Sequence, residues 1–232
     1  MRDATASQRL ASLGEVSTAG ELAAAREDPA TGRVLPVRAD IADMLPLGGL
    51  SRGSTVAVHG SVALVMALLA EATARGAWAA VVGAPDWGFV AAAELGVALE
   101  RLAVIPAPGE HLASVIAALI DGMDLVVVGN PEALDASRVR RVMARARQRG
   151  TVLLSHGAWP KVDLELRYLS GRWHGMGAGH GYLRRRDMVV EVRGRGAAAR
   201  SRRVRVVLPT LDPVPAPIPD AAGSGGARGA RA

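Results

Sequence analysis

The chain has 232 residues, 50% of them hydrophobic and 22% charged, which is enough for one substantial buried core. It has no cysteine, so disulfides and thiolate metal sites are excluded. Arginine supplies every basic side chain but Lys161, and the charge is uneven: residues 161–208 carry 12 basic and 4 acidic side chains, residues 1–160 carry 14 and 16, and the segment from 209 is neutral. That late positive excess suits a nucleic-acid backbone or an acidic protein, and equally a solvated face.

Residues 1–44 read as a helical or extended N-terminal arm. The start, MRDATASQRLASLGE, lacks an apolar core of signal type. The longest apolar runs, such as 62–70, are too short to span a bilayer. Both features lead to the expectation of a cytoplasmic protein with no membrane partner. A loop, PLGGL, precedes the first firm strand at 54–59, and a helix is expected over 62–75 with Gly76 as its stop. Strands follow at 78–82, 102–106, 125–128 and 151–155, alternating with helices at 87–94, 110–120 and 137–149. Short, continuously apolar strands between helices indicate an α/β doubly wound, mainly parallel sheet, buried on both faces.

The pattern changes at about residue 162. Segments 163–169, 172–176, 181–185, 188–193 and 203–208 read as strands joined by short turns, with Ser170-Gly171 at a hairpin corner. The expectation is an antiparallel, β-rich C-terminal extension at about 162–208, closing a core that runs from 45 to 208. Residues 209–232 are rich in Pro, then in Gly, Ala and Ser, and read as a disordered tail.

The stretch TVAVHGSVALVM places a strand, a glycine and a helix where a phosphate loop would sit. Such a loop needs a Gly-rich backbone, a Lys for the β and γ oxygens, and Ser or Thr for magnesium. Only Gly60 and Ser61 lie between strand and helix, and no Lys precedes Lys161. The Walker B carboxylate should end a buried strand, yet strand 125–128 ends in Gly129, and Asp124 stands at its opposite end. Strand 78–82 runs into Gly83-Ala84-Pro85, with Asp86 a candidate cap for the next helix. Gly60, Ser61, Pro85 and Gly129 therefore mark a degenerate nucleotide site. No catalytic residue and no cofactor is expected. His174 and His180 share one loop, but their spacing with no Cys or carboxylate nearby does not make a metal site.

These residues carry a resemblance. LPLGGLSRGSTVAVHG resembles the start of the RecA core, ARGAWAAVVGAPDWGFVAAAELGVALERLAVI its next unit, and DLVVVG its Walker B strand. The stretches VMALLAEATARGAWAAVVG, ARARQRGTVLLSHGAWP and GRWHGMGAGHGYLRRRDMVVEVRGRGAAARSRR resemble actinobacterial ImuA-type RecA-like proteins. The resemblance implies a RecA-like pseudo-ATPase acting as a non-catalytic adaptor in DNA-damage-induced mutagenesis and translesion synthesis. It also implies a polymerase-like (ImuB-type) adaptor as partner and, through it, an error-prone polymerase and sliding clamp. Two alternatives stand beside it, a DNA-binding RecA-like repair accessory protein and a cell-division inhibitor-like regulator. Candidate contacts to a partner or DNA are Trp159, Arg172, Trp173, Arg184, Arg185, Arg186, Arg193, Arg195, Arg202 and Arg203, because Trp and Arg carry much interface energy and clustered Arg tracks phosphates.

Overall fold

A computed structural model describes residues 33–177, 180–195 and 200–209, with side chains for 33–175, 185–195 and 200–208. A small antiparallel pair, β1 (Val34–Pro36) and β2 (Gly49–Ser51), precedes the main sheet of β3 (Thr55–His59), β4 (Ala79–Val82), β5 (Leu102–Ile105), β6 (Leu125–Val128), β7 (Val152–His156), β8 (Leu164–Gly177), β9 (His180–Gly194) and β10 (Arg202–Pro209). The helices are α1 (Ala39–Ala42), α2 (Val62–Ala74), α3 (Phe89–Glu94), α4 (Leu112–Gly122) and α5 (Ala136–Arg149).

The eight-stranded sheet has the order β10-β9-β8-β3-β7-β6-β4-β5. From β8 through β3 to β5 every pairing is parallel, whereas β8–β9 and β9–β10 are antiparallel. The fold is thus mixed α/β, with a largely parallel core sheet and an antiparallel C-terminal extension. β4 and β6 are buried at every position, which is why their sequences are unbroken runs rather than in–out alternations.

Two cores sandwich the parallel strands. One gathers α2, α1, β1 and the inward side chains of β8–β10, including Leu35, Ile41, Leu68, Leu166, Val190 and Val206. The other gathers α4 and α5 through Ile116, Ile120, Val139, Val142 and Ala146. Helix α2 is covered around most of its circumference, so its sequence carries little amphipathic contrast. Helix α5 shows the opposite pattern, with Val139, Val142 and Ala146 inward and its arginines outward. Asp135 caps α5 by accepting from the Arg138 amide at 2.8 Å, and Gly150 ends it in the left-handed conformation, φ 73°.

Several expectations change. Residues 33–44, placed in an arm by sequence, pack on the core, with Leu35, Ile41 and Met44 buried. The rest of that arm and the segment from 210 lie outside the described residues. The hairpin corner at Ser170-Gly171 is incorrect: β8 runs straight through it with a bulge between Tyr168 and Ser170. Gly171 is there for close approach, since a Cβ would meet the Asp187 carbonyl oxygen at 2.6 Å. Asp86 does not cap α3, whose N-cap is Gly88 without a side-chain bond.

Candidate functional site

In an open α/β sheet, ligands bind beyond the carboxyl ends of the strands. Here that edge is formed by the turns after β3, β4, β6 and β7. A cavity of about 230 Å³ opens there, lined by Val62, Gly83, Ala84, Pro85, Asp86, Trp87, Val127, Gly129 and His156. The structure therefore brings Pro85 and Gly129 together at one concavity, with Val62 arriving from the start of α2.

The turns at this edge are tightly packed. Gly60 turns the chain at φ 79°, a conformation that suits glycine, and α2 begins two residues later. Ser61 is 4% exposed, and its Oγ accepts from the Leu64 amide at 3.2 Å. It works as a helix cap, buried, with its hydroxyl against the Met188 sulfur. Gly129 is pressed against the neighbouring turn: a Cβ would lie 2.6 Å from the Gly83 oxygen and 2.7 Å from the Ala84 Cβ. A carboxylate at 129 has no space, because the β4 and β6 turns have closed on each other through the Gly129 amide, which donates to the Val82 carbonyl at 2.8 Å.

The titratable groups at this edge are tied to one another. His59 Nε2 lies 3.0 Å from Glu165 Oε1, and Arg167 donates to the same oxygen at 2.7 Å. Burial, reinforced by repulsion from His59, pushes the His156 imidazole below its ordinary value, with Glu132 opposing. Ser155 donates to the Gly157 carbonyl at 3.1 Å. At the far end of the sheet, Asp124 joins β6 to its surroundings, accepting from Arg52 at 2.9 Å and from the Trp78 amide at 2.9 Å. No group of three or more His, Cys, Asp or Glu suited to a metal occurs among the described residues.

A second region of interest is the hairpin β8–β9. On the face turned toward α2, the Arg186 guanidinium lies 4.9 Å from the Tyr168 ring centroid and 5.1 Å from that of Trp173. Tyr168 backs onto the Gly60 turn, with its Cβ 3.6 Å from where a Gly60 Cβ would be. Trp173 remains 44% exposed at the end of this Tyr–Arg–Trp stack. On the opposite face, Arg172, Arg193 and Arg203 project outward and are exposed.

The remaining sequence candidates divide. Trp159 is 6% exposed and packs in the α4–α5 core, so it is a core residue and not a surface contact. Arg202 donates to the Asp43 and Met44 carbonyls at 2.9 and 2.8 Å, pinning β10 to the end of α1. Arg185 pairs with Asp187 at 3.1 Å and Arg195 reaches Asp163 at 3.8 Å. The side chain of Arg184 lies outside the described residues, as does that of His180, while His174 pairs with Asp187 at 3.0 Å. Arg205 stands two residues from Arg203, so both lie exposed on one face of β10.

The family model of the MT3502 N-terminal domain matches residues 43–161. The uncharacterized protein Rv3395c of Mycobacterium tuberculosis (strain ATCC 25618 / H37Rv) is 45% identical over 128 residues, covering 53% of this chain and 63% of that protein. The chain thus spans less than two thirds of the length of this relative. The family match ends at residue 161, before β8 begins.

Proposed function

The chain belongs to the MT3502 N-terminal domain family, and on that footing we propose that it is a RecA-like, non-catalytic adaptor of the ImuA type, acting in DNA-damage-induced mutagenesis and translesion synthesis. A central β3 flanked by parallel strands on both sides, with antiparallel strands continuing beyond β8, supports the RecA-like part of the reading. The observation that carries the non-catalytic part is Gly129. The position that a Walker B carboxylate would need is filled by the Gly83–Ala84 turn at 2.6–2.7 Å. Ser61, committed to capping α2, agrees with it. What remains is a scaffold that works by contact, its partner a polymerase-like adaptor of the ImuB type and, through it, an error-prone polymerase and sliding clamp. The half-exposed Trp173, held rigid by Arg186, has the character of an interface anchor. Among the described residues no helix is long and apolar enough to cross a membrane, which accords with action in the cytoplasm.

The test is co-purification of the tagged chain from DNA-damaged cells that express such an adaptor. Recovery of the adaptor with the wild type, and its loss with Trp173→Ala, is the expected result. Failure to recover it overturns the reading. Calorimetry with ATP and magnesium should give no heat of binding; a saturable signal would overturn the pseudo-ATPase element.

A further inference from the structure

The two faces of the antiparallel extension differ. The inward face is buried through Leu164, Leu166, Met188, Val190, Val192 and Val206. Over the outward face no helix or strand lies among the described residues: α4 and α5 cover β4, β6 and β7, and stop short of β8. Register fixes what this open face presents. Moving along the strands, its rows are Glu165 opposite Arg193, then Arg167–Glu191–Arg203, then Ser170–Val189–Arg205, then Arg172–Asp187–Val207. Successive rows are roughly 7 Å apart, two residues along a strand.

The cations on this face are not balanced. Arg167 is taken by Glu165, and Glu191 accepts from Ser201 at 2.8 Å. Arg172, Arg193, Arg203 and Arg205 have no carboxylate within ion-pair distance among the described residues, and all four are exposed. Arg172 and Arg205 flank a recess of about 450 Å³ together with Ser170, His174 and Asp187. One side of the face is walled by α5. Arg147 of α5 and Arg195 at the end of β9 both reach the Asp163 carboxylate at 3.8 Å, which sets that end of α5 beside β8 and β9. Arg140 stands two turns before Arg147 on the same side of α5, exposed and with no ion pair among the described residues, as is Arg141 beside it. Of the other arginines of α5, Arg145 and Arg149 are matched by Asp121 and Arg138 by Asp135.

From this distribution we infer that the outward face of β8–β10, with Arg172, Arg193, Arg203 and Arg205, binds the sugar–phosphate backbone of a nucleic-acid duplex without reading its bases. The inference goes beyond the adaptor reading and does not depend on it. A protein partner is better served by an apolar, desolvated anchor ringed by polar groups. This face offers spaced guanidinium groups, with Val189 and Val207 and the carboxylates Glu165, Asp187 and Glu191 between them, the arginines outnumbering the carboxylates. Guanidinium binds phosphate oxygens in a bidentate fashion and is the residue suited to that contact. A single strand would ordinarily add base stacking on aromatic rings. Among the described side chains, the aromatic residues of the extension, Tyr168 and Trp173, are on the opposite face with Arg186. A duplex, held by phosphates alone, fits what is present.

The experiment is fluorescence anisotropy of a mixed-sequence duplex with the full chain across a salt series. Four phosphate contacts predict a slope of log K against log salt of about −3.6, or roughly a hundredfold loss of affinity between about 50 and 200 mM salt. Joint replacement of the four arginines by Ala should abolish most of that slope with an unchanged far-ultraviolet circular dichroism spectrum. Singly, Arg203→Ala and Arg205→Ala should each lower it by about 0.9, a readout that stands if the fourfold variant does not fold. Trp173→Ala should leave duplex binding unchanged. No duplex binding at low salt, or a slope unmoved by these substitutions, overturns the inference. So does displacement by polyglutamate as effective as by unlabelled duplex, which would assign the face to an acidic protein.

Discussion

The two halves of the sheet solve different problems. From β3 to β5, helices cover both faces, and the strands are continuous apolar runs with every position of β4 and β6 buried. From β8 to β10 a single face is covered, and the strands alternate: Val204, Val206 and Leu208 turn inward while Arg203, Arg205 and Val207 turn outward. The family match ends at 161, so the family is defined by the first half, and the arginine-bearing half lies beyond it. A tightly packed edge beyond the parallel strands is thus joined to an extension with one open face. The two lie in different parts of one sheet and can be broken separately.

The largest effect is expected at the closed edge. Gly129→Asp would place a carboxylate at the end of β6 but drive a Cβ into the Gly83 oxygen and Ala84 Cβ in the middle of the sheet. Urea unfolding should report a loss of about 3 kcal/mol, with no ATP binding gained. Gly171→Ala makes an equally short contact, 2.6 Å to the Asp187 carbonyl oxygen, but in the extension, where one face is open and β8 can splay. Its cost by the same measurement should be smaller, about 1–2 kcal/mol. Equal losses would break the distinction between a packed half and a yielding one.

Trp173→Ala removes one ring from the stack around Arg186 while Tyr168 keeps the other. Stability should fall by only about 0.5–1 kcal/mol, so that any loss of partner recovery reports the interface and not the fold. The smallest effect is electrostatic. His156 has a folded value below its ordinary 6.5, so the unfolded chain takes up a proton first as pH falls. Its neutral form contributes in full above that ordinary value, and stability drops as pH falls through it toward the lowered folded value. His156→Gln should flatten this part of a pH series of unfolding midpoints. Asp121 acts in a lower window: the Arg145 hydrogen bond holds its carboxyl below 3.8, and its contribution is lost as pH falls from that value through the folded one.

Much of the first half was legible in the sequence. Strand 125–128 is pure Leu and Val and falls where it was expected, because a doubly buried strand has no reason to vary its chemistry. Helix α5 ends at Arg149 with Gly150 behind it as expected, whereas Ser61, read as part of a degenerate nucleotide site, caps α2. The absence of a phosphate-loop lysine and of a carboxylate at 129 was visible directly. The extension was harder. Ser170-Gly171 has the composition of a turn, and nothing local says that the glycine is admitting the Asp187 carbonyl from a strand sixteen residues along the chain. Trp159 follows a strand and precedes Pro160, and its burial depends on α4 and α5 meeting above it.

By itself the sequence determined the alternation of elements, the absence of a phosphate-binding lysine and the concentration of arginine after residue 161, since each is set by local composition and period. Only the tertiary structure decided why no carboxylate can stand at 129 and which arginines share a face. The first depends on two turns 46 residues apart in sequence, at Gly83 and Gly129, lying so close that a Cβ at 129 would come within 2.6 Å of the Gly83 oxygen. The second depends on strand register, where one step moves a side chain to the other side of the sheet: Arg202 is tied to the Asp43 and Met44 carbonyls while Arg203 is left open to phosphate.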